Sequence, residues 1–343
     1  MFRRWLLIVC SCALVLLTAC GATSAGQDTA EENSISFFAM DTYMTIRAWS
    51  ADDALLERAE DRVEELESQL SVTEADSEIG RLNRVGSADL SPETAALLER
   101  ALALCERTGG RLDISVYPVV RAWGFTTEEY RVPAPEEIDA LLQAVDYTQI
   151  ERDGTQVRLP EGMEIDLGSV AKGYTGDQVV ALLREAGVTS ALLDLGGNIQ
   201  VLGSKPDGSD WHIAIQDPAG DGVLGMVAVS DCAVITSGGY ERYFTDEDGT
   251  LWWHIMDPAT GYPARNGLIS VTVVGEEGLT CDALSTALFV MGPEEAIACW
   301  RADRDFEMLL VTEEGELLLT PGLAAVFTPD ESVADSWQVI GDG

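Results

Sequence analysis

Closely spaced strand patterns joined by tight turns constrain the fold of this chain more than any other feature of its sequence. Residues 191–195 (ALLDL) and 198–202 (NIQVL) are separated only by Gly196-Gly197, which predicts a β-hairpin. Further strands are predicted at 211–216, 223–230, 232–236, 251–256, 269–275, 306–311 and 316–320. Because strands outnumber helices and are often adjacent, we predict an α+β fold with mixed or antiparallel sheets and flanking helices.

Fewer segments have the apolar spacing of a helix. The clearest covers residues 51–70, and Ser91-Pro92 has the form of a helix start leading to about Thr108. Further helices are predicted over 135–145, 174–186 and 281–291, the last ending at Gly292-Pro293. Single strands are predicted over 35–49, 147–151 and 155–159. We predict one large domain or two intimately joined ones over residues 35–330, followed by a tail over 331–343.

The N-terminus has the features of an export signal with a lipid anchor. Two arginines precede the apolar stretch Trp5–Leu17, which is too short to span a bilayer as a mature helix. It ends in Leu-Thr-Ala-Cys at Cys20, a pattern that resembles the lipobox of bacterial lipoproteins. We therefore expect residues 1–19 to be a lipoprotein signal peptide and residues 20–34 to be the lipidated Cys20 with a flexible tether. The body would then be extracytoplasmic and held at the cell membrane by the lipid alone.

A large excess of acidic residues excludes some partners. The 343-residue sequence has 59 Asp and Glu against 21 Lys and Arg, for a formal charge of −38. Such a surface repels nucleic acid and anionic lipid headgroups, so we expect neither as a partner. A substrate that carries phosphate would also be repelled unless a metal ion or local cations intervene.

Several common catalytic motifs are missing from the sequence. There is no GxxxxGKS/T, HExxH or GxSxG, which argues against P-loop, zincin and α/β-hydrolase proteins. The four cysteines beyond residue 34 include no CxxC pair, and with two histidines they do not provide a zinc cluster. We expect these four cysteines to be mostly free, buried and structural.

Three groups of residues carry possible chemistry. Asp282 and Thr286 lie four residues apart on a predicted helix, so their oxygens face one side, and all-oxygen ligands suit Mg²⁺ or Ca²⁺. Residues 166–177 form a predicted glycine-bearing loop, in which Lys172 and backbone amides are suited to phosphate. His254 follows a strand at a Pro- and Gly-rich turn, a suitable place for a general base. Each group also has an ordinary structural interpretation, as a helix-terminal acid, a solvated lysine or a hydrogen-bonded histidine.

Taken together and in order, these segments resemble the ApbE family of FAD:protein FMN transferases over about residues 36–320. The matching segments are Met40-Asp41-Thr42, Ser77-Glu78-Ile79, Asp113 through Phe125, Asp166 through Asp177, Gly196-Gly197, Thr236-Ser237-Gly238 with Tyr240-Glu241, His254 through Pro263, and Asp282 through Gly292. The resemblance implies a fold related to the T-fold, with two intimately joined subdomains and FAD in the cleft between them.

The resemblance also implies roles for individual residues. It assigns catalysis to His254 and Lys172. It assigns a metal site for Mg²⁺ to Ser169, Asp282 and Thr286. It assigns contacts with the flavin nucleotide to Met40, Asp113, Asp166, Lys172, Ser237, Tyr240 and His254.

The implied reaction transfers the FMN part of FAD, the substrate, to a Thr or Ser hydroxyl of an acceptor protein and releases AMP. The acceptor would be a separate exported protein with a threonine-containing flavinylation motif, such as a redox subunit. Two alternatives stay open. Water could replace the hydroxyl, which would make the chain an FAD pyrophosphatase, or the chain could be a lipoprotein that binds FAD and catalyses nothing.

Overall fold

The computed structural model describes residues 31–333 and 336–341. The predicted signal peptide, Cys20 and most of the predicted tether lie outside these residues. The strands are β1 (Glu32–Ala39), β2 (Thr42–Trp49), β3 (Ser87–Asp89), β4 (Glu151–Asp153), β5 (Gln156–Arg158), β6 (Ala191–Leu195), β7 (Ile199–Leu202), β8 (Trp211–Gln216), β9 (Val223–Val229), β10 (Cys232–Gly238), β11 (Tyr243–Thr245), β12 (Leu251–Trp253), β13 (Leu268–Gly275), β14 (Glu307–Thr312), β15 (Leu317–Leu319), β16 (Phe327–Pro329) and β17 (Trp337–Val339). The α-helices are α1 (Asp53–Leu70), α2 (Glu78–Val85), α3 (Pro92–Arg107), α4 (Tyr117–Ala122), α5 (Pro135–Leu142), α6 (Gly168–Glu185), α7 (Gly278–Met291), α8 (Pro293–Asp303) and α9 (Pro321–Ala324).

A nine-stranded sheet in the order β1-β2-β6-β7-β10-β13-β14-β15-β17 organises the molecule. Its neighbouring strands pair antiparallel, except that β17 pairs parallel with β15. Helices α1, α6, α7 and α8 cover one face, and the small sheet β16-β9-β8 covers the other. The α+β fold predicted from adjacent strands is confirmed.

Helix α7 lies at the centre of this arrangement. It packs against α6, β10 and β13, and eleven of its fourteen residues are buried. Its sequence is apolar on most sides, which is typical of a helix enclosed by protein, and Asp282, Ser285 and Thr286 are its main polar residues. One further cluster of buried side chains lies apart from the sheet, around Trp123, Phe125 and Met256, and it supports the β11–β12 hairpin through Phe244 and Trp252.

Some elements differ from the predictions. Residues 35–49 form the hairpin β1–β2 and not one strand. Gly292-Pro293 ends α7 as predicted, but Pro293 also begins α8, because proline is favoured at the first position of a helix. The four cysteines are free, as predicted. No helix in the described part of the chain is long and apolar enough to cross a membrane.

Candidate active site

Two hairpin turns lie side by side at one end of the large sheet. Met40 and Asp41 connect β1 to β2 with positive φ values of 49° and 60°. Gly196-Gly197 connects β6 to β7. A Cβ on Gly196 would lie 2.2 Å from Thr42 Oγ1, so the missing side chain allows the turns to touch. Met40 also contacts α6, since its Sδ lies 3.8 Å from the Thr175 hydroxyl.

The segment that carries Lys172 is a helix and not a loop. Helix α6 begins at Gly168 instead of near residue 174. Asp166 Oδ1 accepts a hydrogen bond from Gly168 N at 2.8 Å and so satisfies an N–H of the first turn. The predicted loop conformation is therefore wrong, and Ser169 and Lys172 instead lie in the first two turns of a helix. Its glycines are used for packing: a Cβ on Gly173 would lie 2.2 Å from the carbonyl oxygen of Gly278.

The crossing of α6 and α7 at these two glycines fixes Asp282. The backbone N–H of Gly173 donates to Asp282 Oδ2 at 2.8 Å, and the Asp282 side chain is 5% exposed. Burial raises the pKa of Asp282, while the charge of Lys172 acts in the opposite direction. The buried side-chain nitrogen of Asn198 has no hydrogen-bond partner and lies beside this carboxylate. The site thus holds a buried carboxylate next to a lysine and an unsatisfied donor.

Asp177 stabilises the same crossing one turn further along α6. Its two carboxylate oxygens accept hydrogen bonds from Gly278 N at 2.7 Å and Leu279 N at 2.9 Å. Burial raises the pKa of Asp177 to about 6. The residue therefore caps the beginning of α7, and it does not face a phosphate site as its place in the predicted loop suggested.

Hydroxyl groups adjoin Asp282 on its helix. Thr286 lies one turn further along α7, as its spacing predicted. Its Oγ1 is 3.4 Å from the Ser237 hydroxyl of β10, which in turn is 2.8 Å from the Ser285 hydroxyl. Ser285 also donates to the Asp282 carbonyl at 2.9 Å. The predicted residues Ser237, Asp282 and Thr286 therefore lie in one cluster of oxygen atoms.

The donors in this cluster fit a hard divalent cation. No group of three His, Cys, Asp or Glu side chains that could hold a metal occurs in residues 31–333 and 336–341. The available donors in this cluster are the Asp282 carboxylate and the Thr286 hydroxyl. Ser169 lies one turn before Gly173 on α6. Mg²⁺ is typically bound by one or two carboxylates together with substrate phosphates, whereas zinc sites need several nitrogen or sulfur ligands.

His254 is held in one orientation by the backbone of Arg242. It directly follows β12, and both its backbone N–H (3.1 Å) and its Nδ1 (3.3 Å) approach the Arg242 carbonyl oxygen. Because a carbonyl only accepts, Nδ1 carries the proton and Nε2 has a free lone pair. Burial, with the positive charges of Arg242 and Lys172, lowers the pKa of His254 to about 4. The imidazole is therefore neutral at neutral pH.

Arg242 and Glu241 also belong to the site, although neither was predicted to do so. The Arg242 guanidinium donates to the Phe125 carbonyl oxygen at 2.9 Å and also faces Asp166, whose pKa burial raises. Glu241 is exposed at the rim, but burial of its carboxyl group raises its pKa to about 7 against the opposing charge of Lys172. Their one sequence signal is their place directly after Tyr240, and the spacing does not indicate their contacts with His254 and Lys172.

Asp113 and Tyr240 are placed differently from the other predicted residues. One Asp113 oxygen accepts from the backbone N (2.8 Å) and the hydroxyl (2.6 Å) of Ser115, and the other accepts from Tyr147 N at 3.3 Å. Asp113 thus organises its own loop. Burial raises the pKa of Tyr240, whose hydroxyl lies near Ser270 of β13.

Comparison with known proteins identifies the family. The family model described as "ApbE family" matches residues 40–310. The chain belongs to the ApbE family. Two relatives named "FAD:protein FMN transferase" are similar along nearly their whole length. The one from Treponema pallidum is 33% identical over 93% of this chain and 94% of its own, and the one from Vibrio cholerae is 34% identical over 91% and 95%.

Solved ApbE structures share the fold. The ApbE protein of Thermotoga maritima superposes with a TM-score of 0.82 at 31% identity and covers 87% of this chain and 100% of its own. The flavin transferase ApbE of Vibrio cholerae gives a TM-score of 0.78 at 30% identity, with coverage of 87% and 99%. The predicted ApbE architecture is therefore confirmed for this family member.

Proposed function

We propose that this ApbE protein transfers the FMN part of FAD to a hydroxyl group of an acceptor protein and releases AMP. The observation that carries the proposal is the name shared by relatives that match over more than nine tenths of this chain. The geometry supports it, because a neutral histidine, a lysine and a buried carboxylate with hydroxyls occur together.

In the proposed reaction the acceptor oxygen forms a bond to the phosphorus of FMN, and the bond between that phosphorus and the AMP oxygen breaks. His254 Nε2 takes the proton of the attacking hydroxyl, a role typically worth ~10²–10⁴-fold in rate. Lys172 offsets negative charge on the pyrophosphate oxygens. Mg²⁺ held by Asp282, Thr286 and Ser169 would neutralise and orient the pyrophosphate, which explains how a chain of charge −38 tolerates such a substrate.

The remaining predicted residues have proposed roles around the nucleotide. Met40 lies at the double turn and offers an apolar thioether to a flat ring system. Asp166 and Tyr240 face polar parts of FAD, with Ser237 between the nucleotide and α7. Asp113 acts indirectly, because its carboxylate holds the loop beside Asp166.

The cellular setting is part of the proposal. The acceptor is an exported protein with a threonine-containing motif, and the enzyme is anchored outside the cytoplasm through acylated Cys20. Replacing Cys20 with Ser should release the protein from membranes while FMN transfer in detergent extracts continues. Membrane association unaffected by this change would contradict the lipid anchor.

The test of function uses the full-length chain in detergent with FAD, Mg²⁺ and an acceptor protein that bears the threonine motif. We expect a fluorescent acceptor band on a denaturing gel and an equal amount of AMP. Removing Mg²⁺ with EDTA, or replacing Asp282 with Ala, should abolish the band, because the pyrophosphate would lose its metal site. Asp248→Ala, in the exposed β11–β12 loop, is the matched control and should keep full activity.

Two other outcomes would identify the alternatives. If AMP accumulates while the acceptor band shows no flavin fluorescence, the protein is an FAD pyrophosphatase. Stable stoichiometric FAD with neither AMP nor labelled acceptor would make it a flavin carrier, and the transferase proposal would fail.

A further inference from the structure

Arg242 connects three parts of the site through its main chain and its side chain. Its carbonyl oxygen accepts from the backbone and ring of His254, and its guanidinium donates to the Phe125 carbonyl at 2.9 Å. Phe125 also contacts His254 directly, because its ring meets the His254 ring edge-on with centroids 6.3 Å apart. The histidine is thus enclosed by two residues that also hold each other.

We propose that Arg242 is the positioning residue for His254, fixing the tautomer in which Nδ1 carries the proton and Nε2 is free to accept one. The proposal rests on the proposed function for the identity of the proton that Nε2 accepts. Many catalytic histidines are oriented by a carboxylate, which also stabilises the imidazolium. Here the orienting group is a carbonyl, and the nearest side-chain charge is positive.

The charged groups around His254 affect its pKa, and so how tightly it holds a proton. Arg242 lies on the connection after β10, and Lys172 reaches the histidine from α6. Acids oppose both cations: Asp166 lies near Arg242, and Glu241 and Asp282 lie near Lys172. Burial, reinforced by the positive side chains of Arg242 and Lys172, keeps the imidazole neutral, so a proton received during the reaction is held weakly and leaves readily.

The test observes the histidine directly in the full-length chain. The sequence has only two histidines, so His212→Gln leaves His254 as the single histidine signal in a ¹⁵N-labelled sample. We expect Nδ1–H and unprotonated Nε2 chemical shifts, with titration at a pKa of about 4. Arg242→Gln offers an amide donor without charge, and should raise that pKa by about one unit or more. Arg242→Lys keeps the positive charge but loses the planar guanidinium that bonds to the Phe125 carbonyl and so holds the main chain of residue 242 against His254. The pKa of His254 should therefore stay low in this variant while its tautomer becomes mixed.

A parallel measurement of FMN transfer against pH gives the catalytic consequence. In Arg242→Gln the acidic limb of kcat/KM should move to higher pH by the same amount as the His254 pKa, and in Arg242→Lys it should not move. Arg301→Gln is the control, because Arg301 lies on α8, donates to the Gly341 carbonyl oxygen at 2.6 Å and should leave His254 unchanged.

The outcomes separate this inference from the proposed function. A wild-type His254 that carries its proton on Nε2, or a pKa that is identical in wild type and Arg242→Gln, would overturn the positioning role. If the tautomer and pKa follow Arg242 but no acceptor is labelled, the transferase proposal fails while the positioning of the histidine stands.

Discussion

The two sides of the site are built by opposite means. On one side, α6 and α7 approach closely because Gly173 and Gly278 lack side chains, and this places Asp282 within hydrogen-bond distance of a backbone N–H. On the other side, Trp123, Phe125 and Phe244 fill space behind His254. On the glycine side, an added side chain would force the two helices apart, whereas the aromatic side contains several overlapping ring contacts. We therefore expect a single substitution on the glycine side to cause a large loss of stability and activity, and one on the aromatic side to cause a small loss.

The largest effect should come from Gly173→Ala. The new Cβ would lie 2.2 Å from the Gly278 carbonyl oxygen and 2.8 Å from Asp282 Cβ, so the helices must separate. We expect a loss of about 3 kcal/mol in the free energy of unfolding, measured by urea denaturation, together with loss of FMN transfer. Gly168→Ala on the same helix is the control, since its Cβ would meet only the movable Asp166 carboxylate at 3.3 Å. Equal losses of stability and FMN transfer in both variants would show that these properties do not depend on the close crossing of α6 and α7.

A smaller effect is expected for Phe125→Leu. The ring contacts of Phe125 with Tyr130, Phe244 and His254 would be lost, at a cost of about 1 kcal/mol in unfolding free energy. The hydrogen bond from Arg242 goes to the main-chain carbonyl of Phe125 and should survive. Single-turnover transfer should therefore fall by no more than about tenfold. A loss as severe as that of Gly173→Ala would contradict the proposed tolerance of this side.

The smallest expected effect is the coupling between the two sides. The unfolding free-energy losses of Gly173→Ala and Phe125→Leu should add in the double variant to within about 0.5 kcal/mol, as is usual for sites without shared partners. Lys172 lies on α6, and its positive charge acts on His254. It is therefore the one residue through which we would expect the two sides of the site to be coupled. If the double variant showed an interaction energy well above that range, and Lys172→Met abolished it, the lysine would be shown to couple the two sides.

The sequence predicted elements whose cause is local and missed those whose cause is tertiary. The hairpin at Gly196-Gly197 and the helix start at Ser91-Pro92 were predicted, because both are encoded by residues in direct succession. The start of α6 was missed because its glycines resemble a loop, and only the presence of α7 explains them. The turn at Met40-Asp41 was missed because neither residue is glycine, although both have positive φ.

The same distinction applies to the site. The pattern of Asp282 and Thr286 was visible because both lie on one helix. The family resemblance supplied His254 and Lys172. Arg242 could not be found in this way, because its effect on His254 depends on a main-chain carbonyl and on a loop more than a hundred residues away. Spacing in a sequence does not report which backbone groups face a side chain.

The hydrogen bond between Gly173 and Asp282 joins positions 109 residues apart, and this separation determines when the site can form during folding. During synthesis, Lys172 and His254 emerge before the helix that carries Asp282. Long-range closure of this kind is entropically costly and forms late. A nascent or truncated chain that ends before residue 282 therefore has no complete site. The site is complete only once α7, near the C-terminal end of the chain, has packed against α6.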